Sequence, residues 1–263
     1  GSNGNLYGGY DRVNFVDTLS VPDRPLFRII RDDTTKDIVL TWEGGAVDVY
    51  YLSDCTLDLD VPSLEASNVN YPYVCSGIKA NDGAKRFYRI TLPGETIFNR
   101  SIAGKFDYQL YKSFNEVSIP FQHCLESAGS LNNVIGSQLT PGTDPNNADL
   151  IYSYENEEWK QAFLKTGVGW LGILKNFLPD KGHSIKINAS NPEQVLTFVG
   201  NVSLSPSREI TLSQDLNFIG HAYPVPVNLN NTDIDHVLQS GAFPSNSDKI
   251  YSYISSPTGG EWK

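Results

Sequence analysis

Residues 148–154 read ADLIYSY, and residues 247–253 read SDKIYSY. The first string is followed by Trp159 and Lys160, the second by Trp262 and Lys263, about a hundred residues later. Their lead-ins also match: residues 115–121 (NEVSIPF) against residues 217–223 (NFIGHAY), with apolar stretches following at 131–139 and 234–243. A period this long exceeds a solenoid unit and suits tandem domains or two halves of one domain. Within IYSY, the two-residue period of a strand puts Tyr152 and Tyr154 on one face and Ile151 with Ser153 on the other. One of those faces must be core. The first copy continues for roughly forty residues past its Trp-Lys and the second stops there, so the chain reads as a segment of a longer modular protein.

At 263 residues the chain has room for two domains or one large β-rich domain. Hydrophobic residues make up 40% and charged residues only 19%, a balance that favours short strands joined by loops over long helices. A net charge of −10 argues against nucleic acid or an anionic membrane as partner, since both call for a basic surface. No apolar run reaches the roughly 18 residues of a membrane-spanning helix. Of the three cysteines, Cys55 and Cys75 flank a polar, loop-like stretch and are placed to close it as a disulfide in an oxidising compartment, leaving Cys124 over. The alternative is a set of small buried thiols.

Residues 1–19 form a Gly-, Asn- and Tyr-rich lead-in. Strand patterns then follow at 37–42 (DIVLTW), 46–52 (AVDVYYL), 86–92 (RFYRITL) and 105–111 (KFDYQLY), with turns at Glu43-Gly44-Gly45 and Asn81-Asp82-Gly83. Strands at this spacing indicate a β-sandwich. A tryptophan closing an early strand, Trp42, followed by VDVYYL and a late FYRITL, resembles a fibronectin type III-like domain over residues 20–112. The resemblance implies an immunoglobulin-like sandwich serving as a spacer or binding module.

The second region, residues 113–263, presents FNEVSIPF (114–121), IYSYENEEW (151–159), Trp170 and LPDKGHSIKI (178–187) in order. This resembles a repeat of bacterial secreted and surface proteins that reads "GWNLISIP … W … PGKGYWI". It departs from that pattern at Glu116, where an apolar residue is usual, and at His183, which takes the place of the aromatic after Lys-Gly. The resemblance implies a β-rich domain whose copies span 113–212 and 213–263, the second incomplete. A short helix is expected at 232–240, capped by Asn231 or Thr232, with Ile234, Val237 and Leu238 as its apolar face and Gly241 at its end. Its counterpart is expected within 130–139. The whole chain is thus expected to be mainly β with a few short helices.

Chemistry is thinly signalled. GVGWLG at 167–172 matches the dinucleotide fingerprint letter for letter, but Pro179 comes too soon for the helix that must receive the pyrophosphate. A glycine-rich loop carrying a buried tryptophan is the better reading. His123 and Cys124 are neighbours, which on a strand point to opposite faces and share no proton. His123, His183, His221 and His236 lack metal-ligand spacing, and no catalytic residue is expected. Asp32, Asp33 and Asp37 form one acidic group, and Asp54, Asp58 and Asp60 a second. Asp144, Asn146, Asn147 and Asp149 form a third, where Asp144, Asn146 and Asp149 are candidate ligands for calcium, the one cofactor considered. Asp and Asn serve ordinary turns equally, and the turn reading is preferred. The best binding candidates are aromatic: Tyr152, Tyr154, Trp159, Tyr251, Tyr253 and Trp262, which either plug the core or stack a ligand.

These features point to a non-catalytic segment of a secreted or cell-surface bacterial protein acting in adhesion, spacing or assembly. The partner would be a glycan or another surface protein. The alternative is a carbohydrate-binding module of an extracellular polysaccharide-active enzyme, and a hydrolase with a composite site is the third class.

Overall fold

The computed structural model describes residues 28–31, 37–42, 44–52, 63–75, 85–95, 102–121, 129–202, 209–214, 216–221, 223–224, 229, 232, 234–243, 245, 247–258 and 260–263. The lead-in, Cys55, Cys124, His123, Asp32, Asp33, Asp54, Asp58, Asp60 and Asn231 lie outside these residues.

The chain is mainly β, built as three stacked antiparallel sheets. The first sheet has the order β1 (Arg28–Arg31), β2 (Ile38–Thr41), β5 (Tyr73–Cys75). The middle sheet runs β13 (Gln194–Asn201), β7 (Ala103–Leu110), β6 (Lys85–Thr91), β3 (Val47–Leu52), β4 (Ser63–Val69). The third runs β11 (Gly169–Gly172), β10 (Glu158–Lys165), β9 (Leu150–Glu155), β12 (His183–Ile187), β8 (Ser113–Val117). A separate hairpin joins β14 (Tyr253–Ile254) to β15 (Glu261–Trp262).

Strand alternation explains the layering. On β6, Tyr88 and Ile90 face one side and Phe87 the other. Tyr88 and Ile90 join Val47, Val49 and Ala103 in packing against Ile38, Leu40, Trp42 and Cys75 of the first sheet. Phe87 joins Leu52, Leu110, Leu196 and Phe198 in packing against Val117, Ile151, Ala162, Ile185 and Ile187 of the third. The middle sheet is therefore apolar on both faces, whereas the third has one buried face and one open face.

The boundary expected between residues 112 and 113 is crossed by both sheet and core. β13 pairs with β7 over eight residues, from Gln194↔Leu110 to Asn201↔Ala103. The first region's last strand leaves an edge with Phe106, Tyr108 and Leu110 on its inner face, and β13 from the second region covers it with Leu196 and Phe198. An open apolar edge is a liability, and the chain closes this one itself.

The expected helices shrink to single turns, α1 (Leu131–Val134) and α2 (Ile234–Val237). Ser130 caps α1 by accepting the Asn133 N–H at 3.3 Å. Thr232 Oγ1 accepts the Ile234 N–H at 3.4 Å, and α2 ends before reaching Gly241.

The two matched stretches share several local contacts. Asn115 Oδ1 accepts the Tyr111 N–H at 2.8 Å and its amide donates to the Tyr111 carbonyl at 2.7 Å; Asn217 brackets Ser213 the same way, at 2.8 Å in each direction. Asp149 Oδ2 accepts the Thr140 N–H at 2.9 Å, and Asp248 Oδ2 accepts the Gln239 N–H at 2.7 Å. Tyr154 pairs across strands with Trp159, and Tyr253 with Trp262. The turns differ. Asn156 and Glu157, both at positive φ (54° and 64°), close β9–β10 in two residues, while residues 255–260 link β14 to β15.

Candidate functional site

The third sheet's open face carries the aromatic residues. Ile151 and Ser153 point into the core, fully buried, so Tyr152 and Tyr154 point outward. Register places Gln161 and Ser184 on either side of Tyr152, Trp159 beside Tyr154, and Glu116 and Lys186 on the same face. Phe114 and Tyr152 lie with ring centroids 6.0 Å apart. Tyr154 and Trp159 are 5.3 Å apart, and Trp159 is 5.8 Å from Phe218, which arrives from the second copy. Adjacent rings are tilted by 48–59°, a twisted row that follows the strands. Trp159 is 53% exposed and Phe114 40%. Lys186 Nζ stands 5.6 Å over the Phe114 ring. In the second hairpin Tyr253 and Trp262 repeat the contact at 5.1 Å, with Trp262 and Tyr251 largely exposed. Of the two readings open for these aromatics, surface display describes Trp159, Tyr251 and Trp262, and half-burial describes Tyr152, Tyr154 and Tyr253.

Sequence reasoning missed Phe114, Glu116, Lys186 and Phe218 as members of this face. The signal was available in part: Phe114 and Glu116 flank Asn115, whose side chain points inward, so both must point out. Glu116 Oε1 accepts the Ser184 hydroxyl at 2.8 Å, while Oε2 is enclosed without a hydrogen-bond partner. Burial pushes this carboxyl up to about 7, against the smaller opposing effect of the Ser184 bond. Glu116 thus holds its proton part of the time near neutrality.

The candidate calcium ligands are occupied by protein donors. Asp149 is fully buried. Its Oδ1 accepts Asn188 N–H at 2.9 Å and Asn191 Nδ2 at 2.6 Å, and its Oδ2 accepts Thr140 N–H at 2.9 Å and Gln194 Nε2 at 2.6 Å. Four donors saturate a carboxylate. Asp144 Oδ1 accepts the Asn146 N–H at 2.8 Å in a side-chain turn, and the Asn146 carbonyl accepts from Asn188 Nδ2. Among the described residues no group of His, Cys, Asp and Glu has the geometry of a metal site.

GVGWLG forms a turn and strand β11, with no helix following. Gly172, at φ +137°, lies so close to the Gln161 carbonyl that a Cβ would collide with it. Trp170 packs on the core and donates from Nε1 to the Gly136 carbonyl at 3.1 Å. His183 stacks on Phe177 at 3.6 Å and 16°, and burial pushes it down to about 4.

A polar cluster lies between the first and middle sheets. Arg86 pairs with Glu65 at 3.0 Å and stacks 4.3 Å over Tyr51, and the Tyr73 hydroxyl donates to Glu65 at 3.1 Å. Tyr88 donates to Cys75 Sγ at 3.2 Å, and Cys75 is a free, buried thiol. Its expected disulfide partner, Cys55, lies outside the described residues. Burial pushes Tyr73 up to about 12, so it stays a neutral donor at physiological pH. Arg86, Tyr88 and Cys75 are buried while Tyr51, Glu65 and Tyr73 are half-buried, and the cluster's polar groups bond mainly to one another.

No helix among the described residues is long and apolar enough to cross a membrane. Compared with protein-family models, curated proteins and solved structures, the chain matches none of them.

Proposed function

We propose that this chain is a non-catalytic adhesive module of a secreted or cell-surface bacterial protein, and that the open aromatic face of the third sheet is its contact surface. One observation carries the reading: Phe114, Tyr152, Tyr154 and Trp159 stand on the solvent side of a sheet whose other face is locked into the core. Rigid aromatic rings bury much area at low entropic cost, which is why they anchor interfaces. Glycoside hydrolysis calls for two facing carboxyl groups. Among the described residues this face supplies Glu116, whose free oxygen is enclosed. The fibronectin-like reading of the first region and the repeat reading of the second support the same placement outside the cell.

The second reading, a carbohydrate-binding module, draws on the row Tyr154–Trp159–Phe218 with Gln161 on the same face, rings to stack sugars and a polar group to orient them. The tilt between rings suits a twisted glycan chain better than a flat crystalline surface.

The test is retention of the purified protein on immobilised glycans and on bacterial and host surface proteins, beside the double variant Phe114→Ala, Trp159→Ala. At least a tenfold loss of retention is expected from these two exposed positions. Equal retention by variant and parent would remove the face from the function, and the class of surface that retains the parent separates the two readings.

A further inference from the structure

The residues that lead into β12 are clamped by a segment from much later in the chain. The Gly182 N–H donates to the Phe218 carbonyl at 2.9 Å, and the Gly220 N–H donates to the Asp180 carbonyl at 3.1 Å. Between those two bonds Lys181 and Ile219 pair as an antiparallel bridge. Ser118 Oγ donates to the His221 carbonyl at 3.2 Å and fastens the end of the same segment. Residues 218–221 are therefore held to the third sheet through their backbone, which leaves the Phe218 side chain free for another task.

That side chain is seated on a glycine. Gly182 comes two residues before the outward-facing Ser184, so strand alternation aims its Cα substituent at the open face. A Cβ there would meet the Phe218 ring at 2.7 Å. From this seat the ring reaches Trp159, centroids 5.8 Å apart, while Tyr154 meets the same indole at 5.3 Å. Both rings are tilted by 59° to the indole, so they grip it without covering it, and Trp159 stays 53% exposed. Trp262 has the matching tyrosine, Tyr253 at 5.1 Å, but among the described residues no third ring touches it.

We propose that Phe218, seated on Gly182, is a positioning residue of the contact face: it holds the Trp159 indole in one orientation, so that the later stretch of the chain braces a surface formed by the earlier one. The inference rests on the aromatic face being the contact surface. An indole gripped on one side only samples several rotamers, and freezing these on binding weakens affinity. A ring already held by its neighbours is presented in its binding orientation before the partner arrives.

The full chain is labelled with fluorotryptophan and followed by fluorine NMR, with the Trp159 and Trp262 resonances assigned by Trp159→Phe and Trp262→Phe. Phe218→Ala and Gly182→Ala should each move the Trp159 resonance toward that of Trp262 and leave Trp262 in place. Both should lower retention on the immobilised glycans or surface proteins about fivefold. Gly182→Ala keeps every ring and removes only the seat, and Phe218→Tyr should keep the parent's values in both measurements. Phe218 is half-exposed, so Phe218→Ala reports even where Gly182→Ala weakens the fold. A Trp159 resonance indifferent to Phe218→Ala overturns this inference while the contact face stands. So does retention that Trp159→Ala abolishes and Phe218→Ala leaves intact. Retention of the parent on none of these surfaces overturns both.

Discussion

In the first copy the hairpin β9–β10 has β12 on one flank and β11 on the other, and its inner face is core. In the second, β14–β15 is a two-stranded sheet, with Ile254 and the preceding Ile250 exposed. The same short-range contacts persist in both: the asparagine bracket at Asn115 and Asn217, the aspartate acceptor at Asp149 and Asp248, and the Tyr–Trp pair. Local bonding therefore needs only the local sequence, whereas burial needs strands brought from elsewhere. The comparison separates what a motif does alone from what its surroundings add.

The largest contrast is expected between Asp149 and Asp248. Removing Asp149 leaves four part-buried donors without their acceptor, so Asp149→Ala should cost about 2–4 kcal/mol. Asp248 is exposed, and Asp248→Ala should stay within about 0.5 kcal/mol. Urea midpoints measure both; equal losses would mean that the second copy is as tightly built as the first.

Acid sensitivity should belong to the first copy. His183 titrates near 4 in the fold against an ordinary 6.5, so between those values the unfolded chain takes up a proton that the folded chain refuses. Stability falls as pH drops through that window, by on the order of 3 kcal/mol from this group. His183→Phe, which keeps a ring against Phe177, should flatten the acid limb. Glu116 acts in the opposite sense: held near 7 against an ordinary 4.5, it favours the fold most below about 4.5 and loses that contribution as pH rises through 7. Glu116→Gln should remove the alkaline decline. Urea midpoints between about pH 4 and 8 check both, and profiles unchanged by either variant would refute the assignments.

The smallest effect concerns the ring pairs. A double-mutant cycle on Tyr154 and Trp159 should give about 0.5–1 kcal/mol of coupling, and one on Tyr253 and Trp262 less, because a longer connection than the two-residue turn joins that pair of strands. Equal coupling would make the pair indifferent to its turn.

Much of this was legible. The IYSY alternation gave a strand with one core face, and the spacing after GVGWLG excluded the nucleotide fold because a strand and turn leave no helix N-terminus. Trp42 at the end of DIVLTW is buried, with its Nε1 donating to the Gly45 carbonyl at 3.0 Å. What stayed hidden was partner choice. QVLTFVGN is apolar on both faces, so its pattern announces a buried strand without saying that its neighbour is β7 and not β12. For the same reason the sheet order, and with it the three-layer stack, had no local signal. Glu116 looked like a departure from a repeat pattern, and only its neighbours show it as an enclosed acid.

The pairing of β13 with β7 also sets the order of events at the ribosome. The middle sheet is unfinished when Leu110 emerges, and its last strand follows only after roughly ninety further residues have been made. During that interval a nascent chain displays the β7 border to whatever is nearby. The first region should therefore be a poor candidate for expression by itself, and a chaperone-sensitive stage is built into its synthesis.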